Sequence, residues 1–372
     1  MKRIFRTMLI TLIIIAALGI TTFFYMKHPK FGKVPDGDRL EMIKKSPNFK
    51  EDKFVNFNHT TQMTEGVSFT GAMYEYLFKK VKRKSPLNGI PSIKTDLKNL
   101  SGDRGVLVWF GHSSYFIQID GKRILVDPVF SGSVSPVPGT NKSFKGTDIY
   151  TVDDLPEIDY LFISHDHYDH LDYKTMIEIK AKTKKVICGL GVGSHLEHWG
   201  YPAENIIEKD WNESIGLDNG FIVYTTPARH FSGRAFRSSK TLWISYVLQT
   251  PTIKIFIGGD SGYDTHYADI GNKFGPIDLA ILDNGQYDEK WRYVHHLPDE
   301  ALKAAKDLKA KRLFPVHNSK FDIANHAWSE PLVRITNLNK TENIPLMTPM
   351  IGEMVNLKDD QQEFKQWWVG IK

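Results

Sequence analysis

Cysteine is almost missing from this chain: Cys188 is the single thiol among 372 residues. No internal disulfide and no cysteine cage for a metal can form. A surplus of either charge is also lacking, since 48 lysines and arginines stand against 43 aspartates and glutamates, a net of +5. So mild an excess suits anionic substrates or a membrane surface and does not single out nucleic acid. No basic patch interleaved with aromatics is evident, which argues against a nuclease and leaves nucleic acid off the list of partners. Internal repeats and low-complexity tracts are absent. What is there, 41% hydrophobic and 24% charged, can bury a large core in one big domain or two ordinary ones and excludes bulk disorder.

The N-terminal stretch MKRIFRTMLITLIIIAALGITTFFYMKHPK begins with Lys2, Arg3 and Arg6 and runs uncharged from Met8 to Met26. Those 19 residues, at a helical rise of about 1.5 Å, nearly cross a hydrocarbon core of about 30 Å. A cleaved signal has a shorter apolar region and small residues at its cleavage site. Here Phe23, Phe24 and Tyr25 stand in that place and look like interfacial aromatics. The segment is read as an uncleaved, single-pass anchor in the cell membrane. Basic residues ahead of the span favour a body outside the cytoplasm, although Lys27, Lys30 and Lys33 beyond it weaken the asymmetry.

Residues 28–100 are polar, with no long periodic segment, and their basic part LFKKVKRKSPLNGIPSIK is read as a solvated linker or wrapping arm rather than a lipid patch. From about residue 104 the texture changes. VLVWF (106–110) and SYFIQIDGKRILVDPVF (114–130) read as strands, with Asp120-Gly121 as a two-residue hairpin turn. Strand-like runs then alternate with helical ones. YLFIS precedes DYKTMIEIKAKT, KKVICGL precedes GSHLEHWG, and FIVYTTPA, TLWISYVLQ, KIFIGG, DLAILDN and RLFPV follow as strands. PDEALKAAKDLKAK (298–311) reads as a helix with Pro298 in its first turn and Leu302, Ala305 and Leu308 on one face. Hairpins mixed with crossovers imply mixed sheets with helices outside, an α/β layered domain.

The chemistry concentrates in FISHDHYDHLD (162–172), three histidines and three aspartates directly after an apolar run. Imidazoles and carboxylates packed this closely are costly to bury without partners. A cation removes that cost by binding neutral imidazole and ionised carboxylate together. Nitrogen and oxygen ligands without thiolate suit zinc, with iron and manganese as alternatives. His230 ends FIVYTTPARH, Asp260 ends KIFIGGD and His317 ends RLFPVH. Each follows a β-rich run, where catalytic groups carried by a rigid sheet usually collect. His165, His167, Asp169, His170, His230, Asp260 and His317 therefore suffice for two metal ions if one carboxylate bridges. GGDSGY lacks the spacing of a phosphate-cradling glycine loop, and Gly258 and Gly259 are read as letting the backbone pass close to the metals.

HDHYDH, an H-x-H-x-D-H motif, resembles the signature of the metallo-β-lactamase superfamily. Five blocks, the second of which holds that motif, WFGHSSYFIQIDGKRILVDPVFS, DLPEIDYLFISHDHYDHLDY, IGGDSGY, KFGPIDLAILDNGQYDEKW and FPVHNSKFDIANH, are similar to N-acylphosphatidylethanolamine-hydrolysing phospholipase D and its bacterial relatives, over about residues 100–355. The resemblance implies a four-layer αβ/βα sandwich with a dinuclear site at one sheet edge. It assigns His165, His167 and His230 to one metal, Asp169, His170 and His317 to the other, and Asp260 to the bridge. It implies a bridging hydroxide that attacks a glycerophospholipid between phosphate and an amide-bearing head group, with Asp169, Asp260 and His295 as catalytic residues. The chain departs from the animal enzymes in its N-terminal span and in the loop 131–150. Two rivals are a lactonase or other ester hydrolase on the same centre, and an idle membrane-anchored metal-binding protein.

Of the remaining histidines, His195 and His198 are expected at the surface, and His28, His59, His266 and His326 at the surface or as hydrogen-bonded core groups. His295 is read as outer-sphere or substrate-contacting, and His112 and Asp127 as braces for ligands. The tail QWWVGIK is expected to pack on the body or touch the bilayer. The expected organisation is an anchor at 1–27, an extension at 28–100, a hydrolase domain at 101–358 and a tail at 359–372.

Overall fold

The computed structural model describes residues 2–101 and 105–372. Helix α1 (Lys2–Tyr25) projects from the body with none of its residues buried. The extension then folds into short pieces: α2 (Gly37–Ile43), a hairpin of β1 (Phe49–Lys50) and β2 (Lys53–Phe54), and α3 (Phe69–Phe78). The helix α3 is the periodic segment that the sequence reading of 28–100 does not anticipate. These pieces lie on the body, with Arg39 bonded to Glu208 at 2.6 Å and Asn56 donating to the His230 carbonyl at 2.8 Å.

Two mixed sheets carry the domain. The first has seven strands in the order β17-β3-β4-β5-β6-β7-β8: Met354–Asn356, Val106–Trp109, Tyr115–Ile119, Lys122–Val126, Ile158–Ile163, Thr183–Gly189 and Ile206–Lys209. The second has six, β16-β15-β14-β13-β10-β9: Leu313–Val316, Leu279–Asp283, Lys254–Ile257, Ser245–Gln249, Ile222–Thr226 and Ser214–Gly216. A separate small hairpin pairs β11 (Gly233–Arg234) with β12 (Arg237–Ser238). The β4–β5 turn is the expected Asp120-Gly121, with φ of +48° and +78°, the left-handed pair that a two-residue hairpin needs.

Strand alternation produces the layers. Leu107, Ile117, Ile124 and Phe162 of the first sheet face Tyr246, Leu248, Ile255 and Ile281 of the second in one central core. The opposite side chains of the first sheet, Phe116, Leu125, Leu161 and Val186, pack against α4 (Tyr173–Ile179) and α5 (Gly193–His198). Those of the second, Val247, Phe256, Ala280 and Leu282, pack against α6 (His266–Phe274), α7 (Pro298–Asp307) and α8 (Glu330–Glu342). Helix, sheet, sheet, helix is the expected αβ/βα sandwich. Leu302, Ala305 and Leu308 face inward as the periodicity predicts, but α7 stops at Asp307 because Lys309 takes a positive φ of 54°. The tail packs on the body: Trp368 is buried, and Trp367 stacks on Trp328 with ring centroids 6.3 Å apart.

Candidate metal centre

The candidate ligands leave their strands at one edge of the sandwich. His165, His167, Asp169 and His170 lie between β6 and α4, His230 follows β10, Asp260 follows β14, and His317 follows β16. Parallel pairing of β5 with β6, of β14 with β15, and of β15 with β16 brings those C-terminal ends level. The sheets are stitched together there, with Tyr246 donating to the Ile163 carbonyl at 2.6 Å and the Ile244 amide to the Ser164 carbonyl at 2.9 Å. Gly259, at φ +61°, has space only for hydrogen, because a Cβ would lie 2.7 Å from that of Ser164. This close approach carries Asp260 into the histidines.

The donor atoms form two clusters that share a carboxylate. His167 Nδ1 lies 2.9 Å from His165 Nε2 and 3.3 Å from His230 Nε2. On the other side, donor atoms of His112, Asp169, His170 and His317 all lie within 4.8 Å of one another. Asp260 Oδ2 is 3.1 Å from His170 Nε2 and 3.8 Å from both His165 Nε2 and His230 Nε2. Its Oδ1 is 3.1 Å from His317 Nδ1. A tetrahedral cation with bonds of about 2.0–2.1 Å spaces its donors about 3.3–3.4 Å apart, inside the range seen.

The hydrogen bonding shows that a cation fits. Nε2 of His170, Nε2 of His317 and Oδ1 of Asp260 are buried and make no hydrogen bond among the described residues. Each such atom costs about 1–3 kcal/mol unless something else satisfies it. The outward nitrogens, in contrast, are held. His170 Nδ1 donates to Asp127 Oδ2 at 2.8 Å, and His230 Nδ1 to the Val294 carbonyl at 2.8 Å. The Ser164 hydroxyl donates to Asp127 at 2.6 Å, so its lone pair is left to accept from His165 Nδ1 at 3.0 Å. Ser113 Oγ meets His317 Nδ1 at 2.9 Å. In His165, His170 and His230, fixing Nδ1 in this way presents Nε2 as a lone pair, the state that ligates a metal.

Charge points the same way. Burial, then the neighbouring imidazoles, holds His165, His230 and His317 well below the usual histidine range, and burial lowers His167. Burial alone would raise Asp169, but His170 and His112 outweigh it and keep the carboxylate well below its usual range. His170 goes the other way: burial would lower it, yet Asp260, Asp169 and Asp127 hold it well above. The carboxylates thus draw positive charge onto His170, and a bound cation would supply that charge while freeing Nε2.

All seven sequence-identified ligands are brought together. His295 joins them, half-buried, its ring stacked on that of His317 at 5.2 Å and edge-on to that of His230 at 4.9 Å. Its Nδ1 is 3.3 Å from Asp283 Oδ2 and 4.0 Å from Asp260 Oδ2. His112 donates from Nε2 to Asp169 Oδ2 at 2.9 Å, the bracing contact expected of it.

His195 is not at the surface. It is buried, its Nδ1 accepts from the Lys33 amide at 3.0 Å, and its Nε2 donates to Asp166 Oδ2 at 3.1 Å. The extension folds over it at Gly32, a non-local contact that the short helix α5 gives no sign of. His198, His28 and His59 are exposed, and His266 and His326 are buried.

Sequence reasoning passed over several supporting groups. Asp283 ends β15 just as Asp260 follows β14, and the same strand-end rule would have found it; it pairs with both His295 and His296. Asp166 accepts from the Gly233 amide at 2.6 Å, and buried Arg234 donates to the carbonyls of Asp166 and Leu171 at 2.8 Å. Ser113 and Ser164 carry no signal beyond their place beside His112 and His165.

The sequence model of the beta-lactamase superfamily domain matches residues 122–318. The chain is 34% identical over 327 residues to an uncharacterized protein of Mycobacterium tuberculosis, a match covering 87% of each. It is 28% identical over 270 residues to N-acyl-phosphatidylethanolamine-hydrolyzing phospholipase D 1 of Caenorhabditis elegans, covering 65% of this chain and 74% of that protein. Among solved structures, Igni18, a metallo hydrolase of Ignicoccus hospitalis, matches 71% of this chain and 100% of its own. Its TM-score of 0.53 at 21% identity is a likeness of fold.

Proposed function

The chain belongs to the metallo-β-lactamase superfamily of metal-dependent hydrolases, and from that premise we propose that it is a phosphodiesterase of phospholipase D type, acting on N-acylphosphatidylethanolamine-like glycerophospholipids. Two divalent cations, zinc by the character of the donors, would be held by His165, His167 and His230 on one side and by Asp169, His170 and His317 on the other, with Asp260 common to both. When bound, they supply Lewis-acid charge for phosphoryl oxygens and a water of lowered pKa.

The protein's own groups do the rest. Asp260 holds the two halves at a fixed separation. His112 orients the Asp169 carboxylate, and Asp127 fixes the His170 tautomer. Burial would lower His295, but Asp283, accepting from its Nδ1, and Asp260 raise it above the usual histidine range. The ring is thus held as the imidazolium, and its Nε2–H gives a proton to the leaving alcohol oxygen as that oxygen's bond to phosphorus breaks. The observation that carries the reading is the position of Asp260 Oδ2, within 3.8 Å of ligand nitrogens from both clusters. The lipid class is supported by the worm phospholipase relative and by α1, a 24-residue apolar helix. As a single-pass anchor with the body outside the cytoplasm, α1 keeps the centre beside its substrate; a tag after Lys372 tests the side.

The experiment is a turnover panel with product identification. The expected result is release of an N-acylethanolamine and a phosphatidic acid from N-acylphosphatidylethanolamine, with no ring opening of acyl lactones. Lactone hydrolysis without phosphodiester cleavage would overturn the assignment.

A further inference from the structure

Helix α3 is amphipathic in the inverted sense. Ala72, Glu75 and Tyr76 lie toward the body, while Phe69, Met73, Tyr74, Leu77 and Phe78 stand outward with 42–66% of their surface exposed. Positions 69, 73 and 77, with 74 and 78 beside them, make one continuous apolar stripe on a 3.6-residue period. A helix that merely covered a soluble domain would turn that stripe inward. The inner side is firmly tied: Glu75 pairs with Lys290 at 3.1 Å, and the Tyr76 hydroxyl accepts from Asn141 at 3.2 Å. Directly after the stripe come exposed Lys79, Lys80, Lys82 and Arg83.

Two contacts place this surface relative to α1. The Tyr25 hydroxyl, at the end of α1, donates to the Pro136 carbonyl, and Lys30 Nζ lies 2.7 Å from the same oxygen. Pro136 and Asn141 belong to one loop, closed by a bridge between Ser133 and Lys142. The loop that receives the exit of α1 therefore also holds the root of α3. The other anchors of α3 and its basic run, Lys290 and Asp322, sit in the segments that carry His295 and follow His317.

We propose that α3 and the basic run after it form a second membrane contact, lying in the interface of a bilayer rich in anionic phospholipid. The apolar stripe enters the acyl region, the lysines and Arg83 meet lipid phosphates, and α1 supplies the plane. This contact would turn the rim of the metal centre toward the bilayer. The proposal rests on α1 as a membrane span and is independent of the substrate.

The sole native thiol, Cys188, is fully buried, so a cysteine introduced at the surface can be labelled alone. The full chain would be reconstituted in phosphatidylcholine vesicles with or without phosphatidylglycerol, both containing nitroxide-labelled lipid. A bimane fluorophore would be placed at Leu77→Cys, and in a separate protein at Ile13→Cys within α1. The expected result is quenching at both positions, with that at Leu77→Cys rising about twofold or more with phosphatidylglycerol and falling when Lys79, Lys80 and Lys82 are changed to Glu. Quenching at Ile13→Cys alone would leave the span intact and overturn the α3 contact. Absence of quenching at both would overturn the span together with it. Quenching at Leu77→Cys that ignores both lipid charge and the Glu substitutions would overturn the anionic-lipid assignment, and crosslinking of Leu77→Cys between copies without quenching would overturn it in favour of a protein interface.

Discussion

Asp127 accepts a hydrogen bond from Nδ1 of His170 at 2.8 Å while the same carboxylate receives the amide and the hydroxyl of Ser164 at 2.8 and 2.6 Å. One buried side chain thus links the end of β5 to the loop after β6 and sets the tautomer of a ligand. Through Ser164 it also reaches His165, so a change at Asp127 is felt by both clusters.

Asp127→Asn keeps the shape but loses the charge, and an amide can no longer serve three donors. Metal affinity is expected to fall about 10- to 100-fold, the usual cost of losing an outer partner of a ligand. Competition against a chromophoric chelator measures it; unchanged affinity would show that the His170 tautomer is set by something else.

The pair of His195 and Asp166 predicts a stability effect remote from the chemistry. His195→Phe removes the donor to buried Asp166 and the acceptor for the partly covered Lys33 amide, leaving both groups without that partner. The expected loss is about 2–4 kcal/mol, from two groups at about 1–3 kcal/mol each less what water recovers. Denaturant melts in detergent read this directly. A variant as stable as the parent would mean that the extension does not depend on this histidine.

Gly259→Ala tests the close approach of the two loops. The residue sits at φ +61° with Ser164 Cβ 2.7 Å from the added methyl, so the loop carrying Asp260 must back away. A destabilisation of about 1–3 kcal/mol is expected from the backbone conformation. Weaker metal retention on dialysis should accompany it.

His266 predicts acid sensitivity. Burial, reinforced by His296 and Arg229 and opposed by Asp264, brings its imidazole from 6.5 down to about 3. The folded value lies below the unfolded one, so the unfolded chain binds the proton first. The contribution to stability is complete above about pH 6.5 and is lost as pH falls toward 3, by up to about 1.4 kcal/mol per pH unit. Replacing His266 with Gln should therefore reduce the stability lost between pH 7 and pH 4.5 by about 2–3 kcal/mol. Parallel slopes for parent and variant would remove His266 from the account.

What was legible in the sequence followed local rules. HDHYDH announced itself by density, and His230, Asp260 and His317 by position after β-rich runs, because a parallel sheet delivers its strand ends to one edge. Asp120-Gly121 was legible because the two-residue hairpin demands positive φ at both places. What stayed hidden depended on distant segments. The burial of His195 is caused by Gly32 and Lys33, more than 160 positions away, and no pattern within GSHLEHWG encodes it. The helix α3 was hidden differently: its stripe points outward, so a search for core-facing periodicity passes over it. Asp283 fits the same strand-end rule as Asp260 and was missed because DLAILDN reads first as buried strand.

The central claim is that the two clusters, joined by Asp260, bind a pair of divalent cations. Elemental analysis of the full chain purified in detergent, beside the Asp260→Asn variant, tests it most directly. The account predicts two divalent ions per chain in the parent, falling to one or fewer in the variant with loss of turnover. A parent without stoichiometric metal, or a variant that keeps both ions and full activity, would contradict it.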